Sequence, residues 1–307
     1  MLLSTTNNDI LTLLEGKMAK AYVFYNPLAG SGSCGDNVRG LESLISDETV
    51  FCDMTEGYDR VISELLDDDY IIVCGGDGTL NRFVNETDGV EIKNDIFYFA
   101  SGSGNDFAHD IGHSKGDKPY SIKEYLCDLP SVEVNGKSYR FLNGVGFGID
   151  GYCCEEGDRL RAEKPGEKVD YTAIAIKGLL FHFKPTNARV TVDGVERIYK
   201  KVWIAPTMNG RFYGGGMMPT PNQQRLGDDK KLSTMLFYGS GKIHTLIMFP
   251  SLFKGEHLKY KKHVEVLEGK EITVEFDRPT ALQIDGETIL GVKSYTAKVC
   301  LPTKVEA

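Results

Sequence analysis

The stretch VCGGDGTLNRFVN, residues 73–85, passes from an apolar run through a glycine cluster into an amphipathic segment. Residues 70–74 (YIIVC) have the continuous apolar character of a strand that is covered on both faces. From residue 79 onward, apolar side chains recur at helical spacing. The three glycines around Asp77 therefore lie where a strand ends and a helix begins, and free N–H groups and the helix dipole favour an anion there. We interpret this stretch as a phosphate-binding loop, with a plain tight turn as the alternative.

The composition is that of an ordinary globular protein. The 307 residues are 41% hydrophobic and 26% charged, and the formal net charge is −9. This charge argues against general attraction to nucleic acid or to an anionic membrane, so any such contact would need a local basic patch. Seven cysteines without a Cys-x-x-Cys pair indicate free thiols in a reducing compartment, so we expect a cytoplasmic protein with peripheral membrane association. Residues 1–17 have no signal-peptide pattern and are predicted to be an N-terminal extension, either native or derived from an upstream start codon.

Two domains are predicted from a change of pattern near residue 135. In residues 18–135, strands alternate with helices, which indicates a mostly parallel α/β sheet. In residues 136–294, strand-like runs follow one another and indicate an antiparallel β-sandwich, in which only residues 169–182 and 243–257 are predicted to be helical. The last strand, within residues 295–307, fits either domain and is predicted to be able to return to the first.

Three glycine- or asparagine-rich loops follow strands of the first half. They are NPLAG at 26–30, GGDGTLN at 75–81 and SGSGNDFA at 101–108. Ligands of parallel sheets bind beyond the carboxyl ends of the strands, so the three loops are expected to enclose a polyphosphate together. Asp77 and Asp106 provide carboxylates for Mg²⁺. Three unrelated turns remain the alternative, and the absence of G-x-x-x-x-G-K-[ST] excludes a P-loop nucleotidase.

In this order and spacing, NPLAGSG, GGDGTLN and SGSGNDFA resemble the catalytic domain of diacylglycerol kinases, which bacterial lipid kinases share with sphingosine and ceramide kinases. The resemblance continues through FLNGVGFGIDG, YGGG at 213–216 and LQIDGE at 282–287. It implies an N-terminal α/β nucleotide-binding domain like those of NAD kinases and phosphofructokinases, followed by a β-sandwich domain for the lipid. It also implies transfer of the γ-phosphoryl group of Mg-ATP to a lipid hydroxyl, with diacylglycerol as the first candidate.

The resemblance also implies roles for individual residues. Asp77 and Asp106 would organise Mg²⁺, and Glu287 in LQIDGE matches the general base. The near-copy VDGVE at 192–196 is assigned to a surface turn. The residues expected at the nucleotide are Asn26, Pro27, Leu28, Ala29, Gly30, Thr55, Gly75, Gly76, Asp77, Gly78, Thr79, Leu80, Asn81, Ser103 and Asn105.

Two departures from the family pattern stand out. Glu133 occupies the position of an aspartate that many bacterial members use in a metal network, and we assign Glu133 to the metal as a longer substitute. The segment GDDKKLST places Lys230 where members with a structural metal carry glycine, so no metal is expected there.

A basic segment is the candidate contact with a membrane. FKGEHLKYKKH at 253–263 carries Lys254, Lys259, Lys261 and Lys262, which are expected to rest on an anionic bilayer or, alternatively, to form a solvated helix end. A homodimer is left open. Two rival functions remain at this point: a soluble-substrate kinase resembling NAD kinase, and a nucleotide- or lipid-binding sensor with little turnover.

Overall fold

The computed structural model describes residues 19–27, 38, 40–102, 104–164, 167 and 169–300. The predicted nucleotide contacts Leu28, Ala29, Gly30 and Ser103 lie outside the described residues, as does the predicted extension at 1–17. Within the described part of the chain, no helix combines the length and apolar character that a membrane span requires.

The first domain is a five-stranded sheet in the order β2-β1-β3-β4-β5, in which the first four strands are parallel and β5 is antiparallel to β4. The strands are β1 (Lys20–Tyr25), β2 (Glu48–Asp53), β3 (Tyr70–Gly75), β4 (Asp95–Ala100) and β5 (Tyr120–Ser121). The helices are α1 (Asp59–Glu64), α2 (Asp77–Glu86), α3 (Asp106–Asp110) and α4 (Lys123–Leu126). The predicted alternation of strands and helices is confirmed, and α2 and α3 both begin at the carboxyl edge of the sheet.

The second domain is a nine-stranded antiparallel assembly. Its strands are β6 (Ser131–Val134), β7 (Lys137–Arg140), β8 (Gly144–Gly148), β9 (Thr186–Val192), β10 (Val195–Met208), β11 (Leu232–Tyr238), β12 (Val264–Gly269), β13 (Glu271–Ile284) and β14 (Glu287–Lys298). Both β8 and β9 pair with the two long strands β10 and β13, which change partners at register shifts. The strands therefore close around one core that includes Phe147, Leu282 and Tyr295.

Helical segments cover one side of this β domain. They are α5 (Ile149–Glu163), α6 (Tyr171–Lys177), a π-helical turn (Gly178–His182), α7 (Lys242–Met248) and two 3-10 segments (Phe249–Lys254 and Glu256–Lys259). The sequence analysis missed α5, because Gly151 and Gly157 weaken its helical pattern. Both glycines permit close packing. A Cβ on Gly151 would lie 2.2 Å from the Ala281 carbonyl oxygen, and one on Gly157 would lie 2.8 Å from the Tyr171 ring.

The domain boundaries differ from the prediction at both ends. Because β6 already pairs with β14, the second sheet begins at Ser131 and the predicted boundary after residue 135 divides a hairpin. At the other end, the predicted return of residues 295–307 to the first domain does not occur in residues 295–298, which continue β14 beside β13 and β6. Cys300 then lines a cavity together with first-domain residues, among them Phe83 and Leu129.

Candidate active site at the domain cleft

Two of the predicted loops meet backbone to backbone. The N–H groups of Ser101 and Gly102 donate to the Gly75 carbonyl at 2.8 and 3.2 Å. A Cβ on Gly102 would lie 2.4 Å from the Cα of Gly76 and 3.0 Å from its nitrogen. Only residues without side chains allow this approach. The prediction that GGDGTLN and SGSGNDFA share one edge of the sheet is confirmed.

The loops form a surface suited to phosphate. Gly76 is the N-cap of α2, which spans Asp77–Glu86, and the first N–H groups of a helix have no partner within it. We call the backbone surface of Gly75, Gly76, Gly78 and Gly102 the glycine cradle. The free N–H groups point out of this cradle, and the helix dipole stabilises an anion there. Asn105 adds a buried side-chain oxygen that lacks a hydrogen-bond partner among the described residues, while its nitrogen donates to the Gly102 carbonyl at 3.0 Å.

Asp77 connects the two loops. Its carboxylate accepts hydrogen bonds from the N–H groups of Asp106 at 2.8 Å and Phe107 at 3.0 Å, which begin α3. Burial, and secondly the neighbouring Asp106 carboxyl, raise the pKa of Asp77 from 3.8 to about 7, against the lowering effect of the two N–H groups. Asp77 is therefore both a cap for α3 and a proton-sensitive group at the phosphate surface.

Asp106 joins the two domains. Its carboxylate accepts hydrogen bonds from Gly215 at 2.8 Å and Gly216 at 2.7 Å, both in the YGGG loop of the second domain. Burial raises its pKa, and the two N–H groups oppose that shift. The motif residue that was expected to organise Mg²⁺ thus also clamps the YGGG loop over the first domain.

Asp285 forms a second connection between the domains. It is a positive-φ residue (φ 48°) at the turn that precedes Glu287, and it accepts hydrogen bonds from three consecutive backbone N–H groups, those of residues 142–144. The side-chain nitrogen of Asn81, on α2, donates to the same carboxylate at 2.9 Å. Burial raises the pKa of Asp285, and these donors oppose that shift. The turn that carries Glu287 is therefore fixed to α2.

Glu287 lies over the glycine loop at residues 75–78. It is exposed at the first position of β14, and a Cβ on Gly78 would lie 3.8 Å from its Oε1 atom. The near-copy VDGVE forms the tight turn between β9 and β10, where Glu196 is exposed and lies 3.4 Å from the Arg189 guanidinium. The predicted contrast between the cleft copy and the surface copy is confirmed.

Several expected nucleotide contacts have other partners. The Leu80 side chain is in the core of the first domain, and its N–H donates to the Gly76 carbonyl. Thr79 is buried against Gly75, and Asn81 is committed to Asp285. The contact of residues 79–81 with the nucleotide therefore stays a prediction that their backbone would have to fulfil, because these three side chains already have other partners. Asn26 and Pro27 follow β1, and Thr55 follows β2, so they lie at the carboxyl edge of the sheet.

Glu133 is not brought to this site. It pairs with Thr296 in the ladder between β6 and β14. Thr296 is nine residues beyond Glu287 in β14, which corresponds to roughly 30 Å of extended strand. Its side chain is 60% exposed and lies 3.9 Å from the Lys298 ammonium. The metal role predicted for Glu133 is therefore wrong, because the hairpin of β6 and β7 belongs to the far end of the second sheet.

A buried ionic cluster that the sequence did not reveal also spans the domains. Asp110, at the end of α3, accepts hydrogen bonds from Arg211 Nε at 2.7 Å and from Arg225 Nε. The Arg225 side chain is 6% exposed and also donates to the Leu142 carbonyl and to Asn143 Oδ1. These residues are about a hundred positions apart in the chain, and nothing in the local sequence links them. Removal of Asp110 would leave the buried Arg225 guanidinium without its carboxylate partner.

Asp150 is a second buried group without a signal in the sequence analysis. Ile149 and Asp150 are the first two residues of α5. The Oδ2 atom of Asp150 accepts a hydrogen bond from the Tyr213 hydroxyl at 3.4 Å, and its Oδ1 atom has no partner among the described residues. Burial raises its pKa from 3.8 to about 7. The protonated form is therefore populated near neutral pH.

The donor set fits a magnesium ion that enters with phosphate. Among the described residues, no group of three His, Cys, Asp or Glu side chains could hold a metal alone. Nucleotide-bound Mg²⁺ needs only one or two carboxylates, because phosphate oxygens and water complete its coordination. Asp77 and Asp106 can supply these. The segment GDDKKLST instead forms ion pairs, of Lys230 with Asp128 and of Lys231 with Asp229.

Comparisons with known proteins agree with this architecture. The family model of the diacylglycerol kinase catalytic domain matches residues 20–132, and that of the YegS C-terminal NAD kinase beta sandwich-like domain matches residues 143–306. A diacylglycerol kinase of Mycobacterium tuberculosis is 25% identical over 278 residues, covering 86% of this chain and 87% of the relative. A Bacillus subtilis protein named as a lipid kinase is 27% identical over 172 residues, covering 49% and 53%.

Solved structures share the fold. A crystal structure described as a diacylglycerol kinase from Bacillus anthracis has a TM-score of 0.59 at 20% identity and covers 92% of this chain and 94% of its own. A second structure from that organism has a TM-score of 0.63 at 20% identity, with coverage of 98% and 99%. Since the second family model alone matches more than half of the 307 residues, the chain belongs to the diacylglycerol kinase-like family of bacterial lipid kinases.

Proposed function

We propose that this protein transfers the γ-phosphoryl group of Mg-ATP to the hydroxyl of a membrane lipid at the cytoplasmic face, with diacylglycerol as the first candidate acceptor and phosphatidic acid as the product. The observation that carries the proposal is that three carboxylates of the cleft bind backbone N–H groups and the fourth is exposed. Asp77, Asp106 and Asp285 each accept at least two backbone N–H groups, whereas Glu287 is exposed directly over Gly78.

A carboxylate in that position suits the removal of a proton from an attacking alcohol. A general base must reach the hydroxyl while the hydroxyl faces the phosphoryl group, and Glu287 lies beside the N–H groups that favour phosphate. The glycine cradle and the N-terminus of α2 would orient the phosphate chain, and the clamp between Asp106 and the YGGG loop would hold the second domain in place. Mg²⁺ supplies the positive charge that lets phosphate approach a cleft lined by carboxylates.

Phosphate transfer from labelled Mg-ATP to a lipid panel tests this proposal. The panel contains diacylglycerol, ceramide and sphingosine in micelles, with NAD as a soluble acceptor. We expect a labelled lipid, and we expect Glu287→Gln to lower kcat by about 100-fold or more while the nucleotide Kd changes little, because loss of a general base affects chemistry and not binding.

Glu196→Gln is the matched control, because Glu196 follows the same Asp-Gly turn chemistry but lies on the surface beside Arg189. It should retain the wild-type rate. Transfer to NAD alone would favour a soluble-substrate kinase, and ATP binding without any labelled product would favour a sensor. Equal loss of activity in both variants would remove the role of Glu287.

A further inference from the structure

Large apolar side chains face solvent on the helical side of the second domain. Phe181 is 73% exposed, Ile243 71% and Ile247 68%, and Ile176 and Phe253 are also exposed. In α7, Ile243 and Ile247 are four positions apart and share one face, while Thr245 and Met248 are buried on the other. A helix in water would normally direct such isoleucines inward.

The segments that carry these side chains pack against one another and share one surface. The ammonium of Lys242, at the start of α7, donates to the Leu180 carbonyl in the π-helical turn at 2.9 Å. Leu179, Met248 and Leu252 lie together in the core cluster directly beneath. We call this surface the apolar platform and define it by Ile176, Phe181, Ile243, Ile247 and Phe253.

The platform has a basic surround. Residues 171–184 and 242–254 contain no Asp or Glu, although the whole chain carries a net charge of −9. The same segments contain Lys177, Lys184, Lys242 and Lys254, none of which forms an ion pair with a described residue. Acidic side chains that act on these lysines, Glu156 on Lys177 and Glu256 on Lys254, lie outside both segments.

We propose that the apolar platform, with Lys177, Lys184 and Lys254 around it, docks the protein on an anionic lipid bilayer. Apolar side chains on a basic face are the combination that binds such a surface. A second copy of the chain fits less well, because a two-fold contact through this face would bring like-charged lysines together. The proposal revises the predicted contact through Lys254, Lys259, Lys261 and Lys262, since Lys259 lies 3.1 Å from the Glu256 carboxylate.

The platform is joined to the cleft. The Leu252 carbonyl, in the segment that carries Phe253, accepts the Met218 N–H at 2.9 Å, and Met218 lies two residues beyond the Gly216 that binds Asp106. A bilayer on the platform would therefore lie next to the loop that closes over the phosphate site. This docking role rests on the proposed function in that the acceptor is a membrane lipid.

Sedimentation with large unilamellar vesicles tests the platform. Wild type should partition onto vesicles of phosphatidylcholine with 30% phosphatidylglycerol at least tenfold more than onto phosphatidylcholine alone. The double variant Ile243→Ser with Ile247→Ser should lose about tenfold or more of that binding. Lys177→Glu with Lys254→Glu should lower it by about fivefold per charge and affect only the anionic vesicles.

Val195→Ser with Ile198→Ser is the matched control, because these side chains are 62% and 67% exposed on the β9–β10 hairpin, away from the platform. It should bind vesicles like wild type, and circular dichroism and thermal melting should be unchanged in all variants. Equal binding by the platform variant and wild type, or no binding by wild type, would overturn the proposal. A wild-type dimer that the platform variant converts to a monomer would instead assign the surface to a second copy.

Micellar activity separates this proposal from the function itself. With short-chain diacylglycerol in detergent micelles, the platform variant should keep the wild-type rate and lose activity only on vesicles. Wild-type activity in micelles combined with platform-independent vesicle binding would remove the docking role alone. Platform-dependent vesicle binding without transfer to any lipid would leave the docking surface and remove the kinase function.

Discussion

Replacement of Asp106 by asparagine should release the YGGG loop from the first domain. Asp106 accepts the N–H groups of Gly215 and Gly216 at 2.8 and 2.7 Å while it is only 7% exposed. Hydrogen bonds to a buried charge contribute about 1.5–3 kcal/mol each, so the pair contributes about 4 kcal/mol. In the Asp106→Asn variant, the amide oxygen retains a neutral bond of about 1 kcal/mol, and the amide nitrogen faces a backbone donor.

The net loss of loop stability is smaller than the difference between these two hydrogen-bond energies. Burial raises the pKa of Asp106, and an amide side chain avoids the desolvation cost that this shift reflects. We therefore expect the loop to open about 2 kcal/mol more easily, which corresponds to roughly 30-fold faster amide exchange. Gly215 itself is exposed, so its protection depends on Asp106.

Hydrogen–deuterium exchange of a peptide spanning residues 213–218 measures this effect. The N–H of Met217 is an internal reference, because it donates to the Tyr213 carbonyl within the same loop. Asp117→Asn is the matched control, since Asp117 accepts the Ser114 N–H in an exposed turn of the first domain. Protection of Gly215 and Gly216 that stays within twofold of wild type in folded Asp106→Asn, or equal loss in the control, would refute the clamp.

Two further predictions concern the phosphate surface and a buried acid. Gly102→Ala would place a Cβ 2.4 Å from the Cα of Gly76, so it should weaken ATP binding by about tenfold or more in calorimetry. Gly241→Ala is the control, because a Cβ there meets no atom within 4 Å, and it should leave ATP binding unchanged. Equal ATP affinities of the two variants would contradict the shared glycine cradle. Asp150→Asn should reduce the pH dependence of stability, because the native pKa of about 7 exceeds the unfolded value of 3.8. The native state then holds the extra proton between those values, so its contribution is full below about pH 4 and falls by about 1.4 kcal/mol per unit until pH 7. Urea unfolding between pH 5 and 7 should therefore change by about 2 kcal/mol less in the variant, and an unchanged pH dependence would contradict the burial of a neutral Asp150.

The strand-loop-helix arrangement of the glycine loops could be predicted because its signals are local. A buried apolar strand, a glycine cluster and a helical pattern follow one another within residues 70–86, and parallel strands bring their carboxyl ends to one edge. The contrast between Glu287 and Glu196 came from the family resemblance, since both follow an Asp-Gly turn. The structure separates them through Asp285, whose three backbone donors lie in residues 142–144.

The partners of the carboxylates could not be predicted, because they come from distant parts of the chain. Asp106 and Gly215 are 109 residues apart, and Asn81 and Asp285 are 204 apart. A motif indicates that a carboxylate is present but not which donor it meets. Glu133 failed for a related reason: its place depends on the pairing of β6 with β14, which no local pattern specifies.

These contacts connect the domain cleft to the glycine loops. Asn81, Asp106 and Asp110 are the first-domain members of the polar connections described above, and all three lie on α2 or α3, the helices that begin at the glycine loops. Their partners are the turn before Glu287, the YGGG loop and two arginines that flank that loop. A shift of α2 on phosphate binding would therefore be passed directly to Glu287 through Asn81 and Asp285, and a shift of α3 would be passed to the YGGG loop. We therefore expect phosphate binding and acceptor positioning to be coupled through these bonds. Asn81→Ala should accordingly lower the rate of transfer more than it lowers ATP affinity.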